Sequence, residues 1–263
     1  MISPLLTLAF FATALAYSMV GFGGGSTYNA LLVLADTDYR LIPSIALSCN
    51  ILVVSGGVYW FWRGQHFNLR EILPFIALSV PMAWVGGRIP VSEQWFIALL
   101  GISLLLTGVQ MLGNPPRVAA AYRKQLVHPW LVGLPSGAAI GLLSGAVGVG
   151  GGIFLAPLLH VIHWDESRKI AATASAFILF NSIAGLTGQL MKQAASHPDQ
   201  QWAGEQLSHY WPLFLAVLVG GQMGSRIGSR HLPERWVKGL TAALVLYVAA
   251  RLLFRWYGIT FGR

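Results

Sequence analysis

The sequence predicts an all-α polytopic membrane protein of two homologous halves, each opening with a helix broken at glycine. Three observations carry that reading: the scarcity of charge, a series of long apolar runs, and a glycine block that occurs twice. Of 263 residues, 55% are hydrophobic and 10% charged, and the mean hydropathy is +0.62. A soluble domain carries about 25% charged residues, so most of this chain does not face water.

Eight apolar runs follow one another with short connections, near 2–20, 43–62, 72–87, 95–112, 130–147, 170–191, 210–227 and 236–254. Most reach the roughly 17–20 residues that cross a ~30 Å hydrocarbon core. They leave little chain for a soluble domain. The net charge of +8 invites a nucleic-acid interface, but Arg63, Arg88, Arg123, Lys124, Arg168, Lys169, Arg230 and Arg235 stand at span ends. Scattered end charges belong to loops flanking a bilayer, not to a surface that reads phosphates. Trp60, Trp62, Trp95, Trp130, Trp211 and Trp236 mark the same boundaries, as an interfacial aromatic belt does. The first run has no basic flank before it and leads straight into a glycine block, unlike a cleaved signal peptide. The one cysteine, Cys49, excludes an internal disulfide and any multi-cysteine metal site.

The repeat is gapless at an offset of 127 residues. Gly21-Phe22-Gly23-Gly24-Gly25 aligns with Gly148-Val149-Gly150-Gly151-Gly152, Asp38 with Asp165, Ser48 with Ser175, Ile51-Leu52 with Ile178-Leu179 and Ser55 with Ser182. Apolar coincidence accounts for matched leucines but not for the glycine block with its matched serines. The expected halves are residues 1–112 and 129–263, joined by a polar linker at 113–128.

After each block comes an apolar stretch too short to span, 26–35 and 153–162. Ten residues of helix cover about 15 Å, half the hydrocarbon thickness. Either the first element of each half enters, breaks and continues as a half-helix, or it turns back as a re-entrant hairpin. Irregular backbone at membrane depth is tolerated only where protein or a polar cavity covers it. Short glycine-interrupted segments at matching positions of two halves point to a transporter site. Four crossings per half would divide Lys and Arg nine against eight. With hairpins and three crossings per half, the loops near 63–70, 113–128, 163–169 and 226–238 share one side and hold eleven of the 17. The positive-inside rule favours this second arrangement, with those loops cytoplasmic, and it makes the repeats inverted.

The glycine blocks expose backbone N–H groups, and the half-helix after each aims the positive end of its dipole at the break. That chemistry suits an anion. A dinucleotide loop would need a strand before it, and none is present. Two other series, Gly133, Gly137, Gly141 and Gly145, and Gly220, Gly224 and Gly228, have the small-xxx-small spacing of close helix packing. Among polar residues in the spans, serines are ordinarily satisfied by their own i−4 carbonyl, whereas Asn50 and Asn181 need partners or a polar cavity. All nine acidic residues fall in loops or at span ends, so the site lacks the intramembrane carboxylate common in proton- and sodium-coupled carriers. His160 and His163, late in the second half-helix, read as interfacial. No GxSxG nucleophile or HExxH zinc motif occurs.

With GFGGG, GVGGG and the following Ala172-Thr173-Ala174-Ser175, the chain resembles the sulfite exporter TauE/SafE family of permeases over essentially its whole length. The resemblance implies a multi-pass protein of the bacterial inner membrane that moves small sulfur-containing anions such as sulfite, sulfonates or sulfoacetate, and it does not choose among them. The first half, with Ala46-Leu47-Ser48, lacks the threonine of the A-x-T-x-S pattern, so the halves contribute unequally. The expected site lies between the two breaks. Backbone N–H groups of Gly24, Gly25, Gly151 and Gly152 would supply positive potential, and Ser26, Asn50, Thr173, Ser175 and Asn181 would orient the oxygens. No cofactor, metal or nucleic acid is implied; the partners are the anionic substrate, the bilayer and, compatibly, further copies of the chain. Two other classes stay open at this point: a carrier of another solute or a metal cation, and a membrane-embedded enzyme or scaffold.

Overall fold

A computed structural model describes residues 2–19, 22–63, 69–112, 129–161, 167–196, 206–227 and 234–261. The loops holding Arg123, Lys124, His163 and Arg230, on which the charge asymmetry leans, lie outside the described residues, as does the His160 side chain. Every long element among the described residues is a helix. In chain order they are α1 (Pro4–Met19), α2 (Gly25–Leu34), α3 (Ile42–Arg63), α4 (Leu69–Arg88), α5 (Glu93–Leu112), α6 (Pro129–Val147), α7 (Gly152–Val161), α8 (Ser167–Ser196), α9 (Trp211–Ile227) and α10 (Glu234–Phe261). Within α3, α5, α6 and α8 lie four stretches long and apolar enough to cross a membrane, Ile42–Trp60, Glu93–Gln110, Trp130–Val147 and Lys169–Ser196. Shorter apolar helices cover Pro4–Met19 and Ile72–Arg88.

The surface is inverted relative to a water-soluble protein. Leu5, Leu131 and Phe254 are 76%, 74% and 83% exposed, while Asn29, Asn50, Asn181 and Gln189 are fully buried. Apolar side chains thus cover the outside and amides the inside, as a lipid solvent requires. Arg88 lies over the Trp84 ring at 4.7 Å and Arg63 over Tyr59 at 5.8 Å, aromatic–cation pairs at helix ends.

Helix packing comes in matched sets offset by five elements. The pair α1–α9 answers α6–α4, α3–α9 answers α8–α4, and α2–α3 answers α7–α8, while α3–α8 and α5–α10 pair across the centre. The two glycine series make the first of these sets. Side chains added at Gly133, Gly137, Gly141 and Gly145 would meet the carbonyls of Pro74, Phe75, Ser79 and Ala83 on α4. Those at Gly220 and Gly224 would meet the carbonyls of Phe11 and Leu15 on α1. Both series therefore let two backbones touch, as their spacing predicts. The close α6 contact also covers the α4 backbone around Pro74 and Pro81, where missing N–H donors free carbonyls.

The chain does not continue straight through the first glycine block; it turns back. Phe10 and Tyr28 stack with ring centroids 4.9 Å apart, although eighteen residues of unbroken helix would separate them by about 27 Å. Thr13 lies against Gly24, and Tyr17 Oη is 2.9 Å from Thr27 Oγ1. In the second half Gly151 packs against Ile140 and Ser144 of α6 in the same way. Of the two expectations for these segments, the hairpin is the one adopted. The α2–α3 turn is built locally: Thr37 N–H closes on the Leu32 carbonyl, Asp36 takes a positive φ of 50°, and Asp38 Oδ1 accepts the Arg40 N–H. Asp38 is thus spent on turn geometry.

Candidate functional site

Each break begins where glycine permits a left-handed backbone. Gly24 has φ +82° and Gly151, its counterpart in the repeat, φ +77°. Non-glycine residues rarely adopt this region. The second break carries two more such glycines, Gly148 and Gly150, both at +82°, and Gly150 differs in this from Gly23, its counterpart in the first block.

The breaks meet. A side chain at Gly25 would run into the Val149 carbonyl, and one at Gly150 would stand 2.5 Å from Asn50 Nδ2. Gly23 faces the same amide, its added carbon falling 2.6 Å from Asn50 Oδ1. Asn50, on α3, is therefore wedged between the two halves. Ile178 of α8 is wedged beside it, touching the approach faces of Gly23, Gly150 and Gly152. Gly24 and Gly151 are instead the turning points, packed on Thr13 and Tyr28, and on Ile140 and Phe177.

The electrostatics follow from where carbonyls and N–H groups go. A helix leaves four N–H groups open at its start and four carbonyls at its end. At the α6 end the carbonyls are answered by carboxamides. Gln189 Nε2 donates to the carbonyls of Gly145 (2.8 Å) and Ala146 (3.3 Å), Asn29 Nδ2 to Val147 (3.1 Å), and Asn50 Nδ2 reaches Val149 at 3.4 Å. The start of α2 is not answered among the described residues: no side chain of theirs caps it. Gly25, Ser26 and Thr27 are all buried there, and Ser26 Oγ has no partner. Amide N–H groups thus meet the negative helix end while Asn29 Oδ1, Asn50 Oδ1 and Gln189 Oε1 stay buried without partners, and among the described residues no carboxylate is buried. Asp36, Asp38 and Glu93, the acidic residues whose side chains are described, are exposed. A buried helix start with no carboxylate beside it is a place where an anion can be accommodated.

The expected residues divide into two groups. Gly25, Ser26, Asn50 and Gly152 converge where the breaks meet. Thr173 and Ser175 flank Ala174, whose carbonyl faces Gly152, and Ser175 Oγ also donates to the Ala171 carbonyl at 2.9 Å. Ser48 is satisfied likewise by Ser44. Asn181 lies about one turn beyond Phe177 and Ile178 on α8. There its Oδ1 accepts from Ser79 Oγ at 2.7 Å and its Nδ2 donates to the Phe177 carbonyl, so both ends of its amide are engaged and the Ser79 bond ties α8 to α4. Sequence reasoning missed Gln189, Gln193 and Tyr28. The two glutamines are four residues apart on one face of an apolar helix, a signal as strong as Asn50. Tyr28 Oη is buried without a partner beside Gly24.

The sequence matches the sulfite exporter TauE/SafE family over residues 5–252. The chain belongs to the TauE/SafE family. A probable membrane transporter protein of Sinorhizobium fredii, y4hK, is 32% identical over 251 residues, covering 95% of this chain and 97% of that one. Another, from Xylella fastidiosa, is 25% identical over 89% of this chain and 92% of its own length. A third, from Methanocaldococcus jannaschii, is 24% identical over 71% and 72%. No solved structure matches. A TauE/SafE protein is a membrane permease, so the enzyme class falls away; the relatives' names state transport without a substrate.

Proposed function

We propose that this TauE/SafE protein carries small sulfur-containing oxyanions, sulfite or organosulfonates, bound where the two glycine breaks meet. The observation that carries the reading is the buried, uncapped start of α2 with the unpartnered Ser26 Oγ, set against a second break whose carbonyls are already taken up by Asn29, Asn50 and Gln189. An oxyanion accepts from several donors at once and complements the half-charge of a helix start. Backbone N–H groups of Gly25 and Gly152 bind it, and Ser26, Thr173 and Asn50 Nδ2 orient its oxygens. A metal cation would meet the wrong helix end and no carboxylate.

The halves 1–112 and 129–263 are inverted repeats in this proposal, each crossing three times beside its hairpin, with the Arg-rich loops cytoplasmic in a bacterial inner membrane. At 100 mV, inside negative, each negative charge leaving the cell gains about 2.3 kcal/mol, roughly a fifty-fold gradient. Export then needs no coupling ion. Flux of sulfite, a sulfonate and sulfate into liposomes holding purified protein, with the potential clamped, tests the reading. Saturable, potential-dependent flux of the first two is expected. Transport of cations alone, or of none of these anions, overturns it.

A further inference from the structure

At one end of the bundle, where the α2–α3 turn meets the C-terminal end of α8, a cleft of about 290 Å³ runs from an exposed rim to a buried floor. We propose that it is an external vestibule that holds the oxyanion on its way between the glycine breaks and the outer water. The inference rests on the oxyanion reading above and adds a second, outer site to it.

Two cations line the cleft, Arg40 on the turn and Lys192 on α8. A hydrogen bond holds their elements together: Gln193 Nε2 donates to the Arg40 carbonyl at 3.0 Å and to Ser44 Oγ at 3.2 Å. Like charges brought into one cleft repel unless something negative sits between them. Two exposed carboxylates, Asp38 and Glu93, lie near Arg40 and attract its charge, and each has another partner as well. Asp38 Oδ1 accepts the Arg40 N–H, and Glu93 Oε1 pairs with Arg255 at 2.9 Å. Half-buried Lys192 has no partner among the described residues, and Arg40 leans on the Tyr39 ring, 5.6 Å from its centroid. A charged fork, an ammonium and a buried floor make a docking place for an oxyanion headgroup.

The floor leads inward. It is formed by Pro43 and Ala146 with Gln193. Pro43 abuts Gly148, the first glycine of the second break, and the Ala146 carbonyl is held by Gln189 on the way to Val149. The cleft therefore ends one layer of side chains from the place where the breaks meet. Gln193 Oε1, buried there without a partner, accepts from an O–H on the ligand or from its hydration water. A lipid phosphate has the same anionic oxygens as a soluble oxyanion, so the test must separate them.

Arg40→Gln, Lys192→Gln and the double variant, with Lys192→Arg as the conservative control, are placed in liposomes of zwitterionic lipid alone and in liposomes with added anionic lipid. Sulfite flux is expected to show KM raised about ten-fold in the double variant, maximal flux retained, and Lys192→Arg close to wild type, in both lipids. A KM that does not move, or that moves only with anionic lipid present, overturns the vestibule, the second outcome assigning the cleft to a lipid headgroup. A transport-independent arm keeps the two readings apart. In Lys192→Cys, an anionic thiosulfonate reagent should modify the new thiol about ten-fold faster than in Lys192→Cys/Arg40→Gln, while a cationic reagent shows the opposite order. Buried Cys49 supplies no comparable background. If wild type moves no oxyanion yet these rates hold, the proposed substrate fails and the cationic cleft stands; equal rates in both backgrounds overturn the vestibule even if transport is normal.

Discussion

Ser26 carries a hydroxyl that no group among the described residues answers, on the first turn of a helix that none of their side chains caps. An unpartnered buried hydroxyl costs stability unless a ligand or water completes it. Ser26→Ala is expected to leave the melting temperature unchanged or raised, because it deletes an unsatisfied group, while weakening sulfite affinity up to about ten-fold, the worth of one hydrogen bond. Titration of thermal stability with sulfite measures both at once. Lower stability with unchanged affinity would make Ser26 structural.

Gly152 permits a sharper comparison. An alanine there collides with the side chain of Ile178, not with backbone. Gly152→Ala should therefore fold poorly or bind weakly, and adding Ile178→Ala should restore both, since the helix-start N–H groups survive. Failure of the double variant to recover sulfite-dependent stabilisation would mean that Ile178 itself shapes the site. Asn181→Leu, by contrast, breaks the Ser79 contact and should cost about 0.6–1.7 kcal/mol of stability, with KM unchanged.

At the scale of elements, the four-residue glycine series and the two glycine blocks have different duties, and their spacing already separated them. The series joins α6 to α4 and α9 to α1 by backbone contact. Gly141→Val should accordingly reduce yield and thermal stability before it alters sulfite affinity, measured on detergent-purified protein. The glycine blocks, the repeat and the helical spans were legible because glycine and apolar length leave marks within a local window. The direction taken after each block was not. A broken helix and a hairpin share one composition, and only contacts such as Phe10–Tyr28 distinguish them. Nor was the role of Gln189 legible, since its acceptors at Gly145 and Ala146 lie 44 and 43 residues away. The Asn181–Ser79 contact was not legible for the same reason, its partners being 102 residues apart.

For the whole molecule, the matched packing sets place α3 and α8 against each other at the centre, with Asn50 and Ile178 at the meeting of the breaks. The repeat aligns Asn50 with Phe177, so the two halves are alike in architecture and unlike in chemistry there. Separation of the halves at this crossing would open the site to one side at a time, the rocking expected of repeat-built carriers. The inverted arrangement predicts cytoplasmic Arg123 and Arg230 and an external Arg263. Cysteines at these positions, probed in intact cells with an impermeant maleimide, should label at Arg263 alone; labelling at Arg123 with Arg263 protected would refute it.

The central claim is that the meeting of the two glycine breaks is where the anion binds. Sulfite-dependent thermal stabilisation of purified protein tests it most directly, because a ligand that binds only the folded state raises its stability by RT ln(1 + [L]/Kd). The account predicts a saturable rise for wild type and for Asn181→Leu, a rise displaced to about ten-fold higher sulfite for Ser26→Ala, and none for folded Gly25→Val, whose side chain would drive into the Val149 carbonyl and Asn50. An undiminished rise in both Ser26→Ala and Gly25→Val would contradict it.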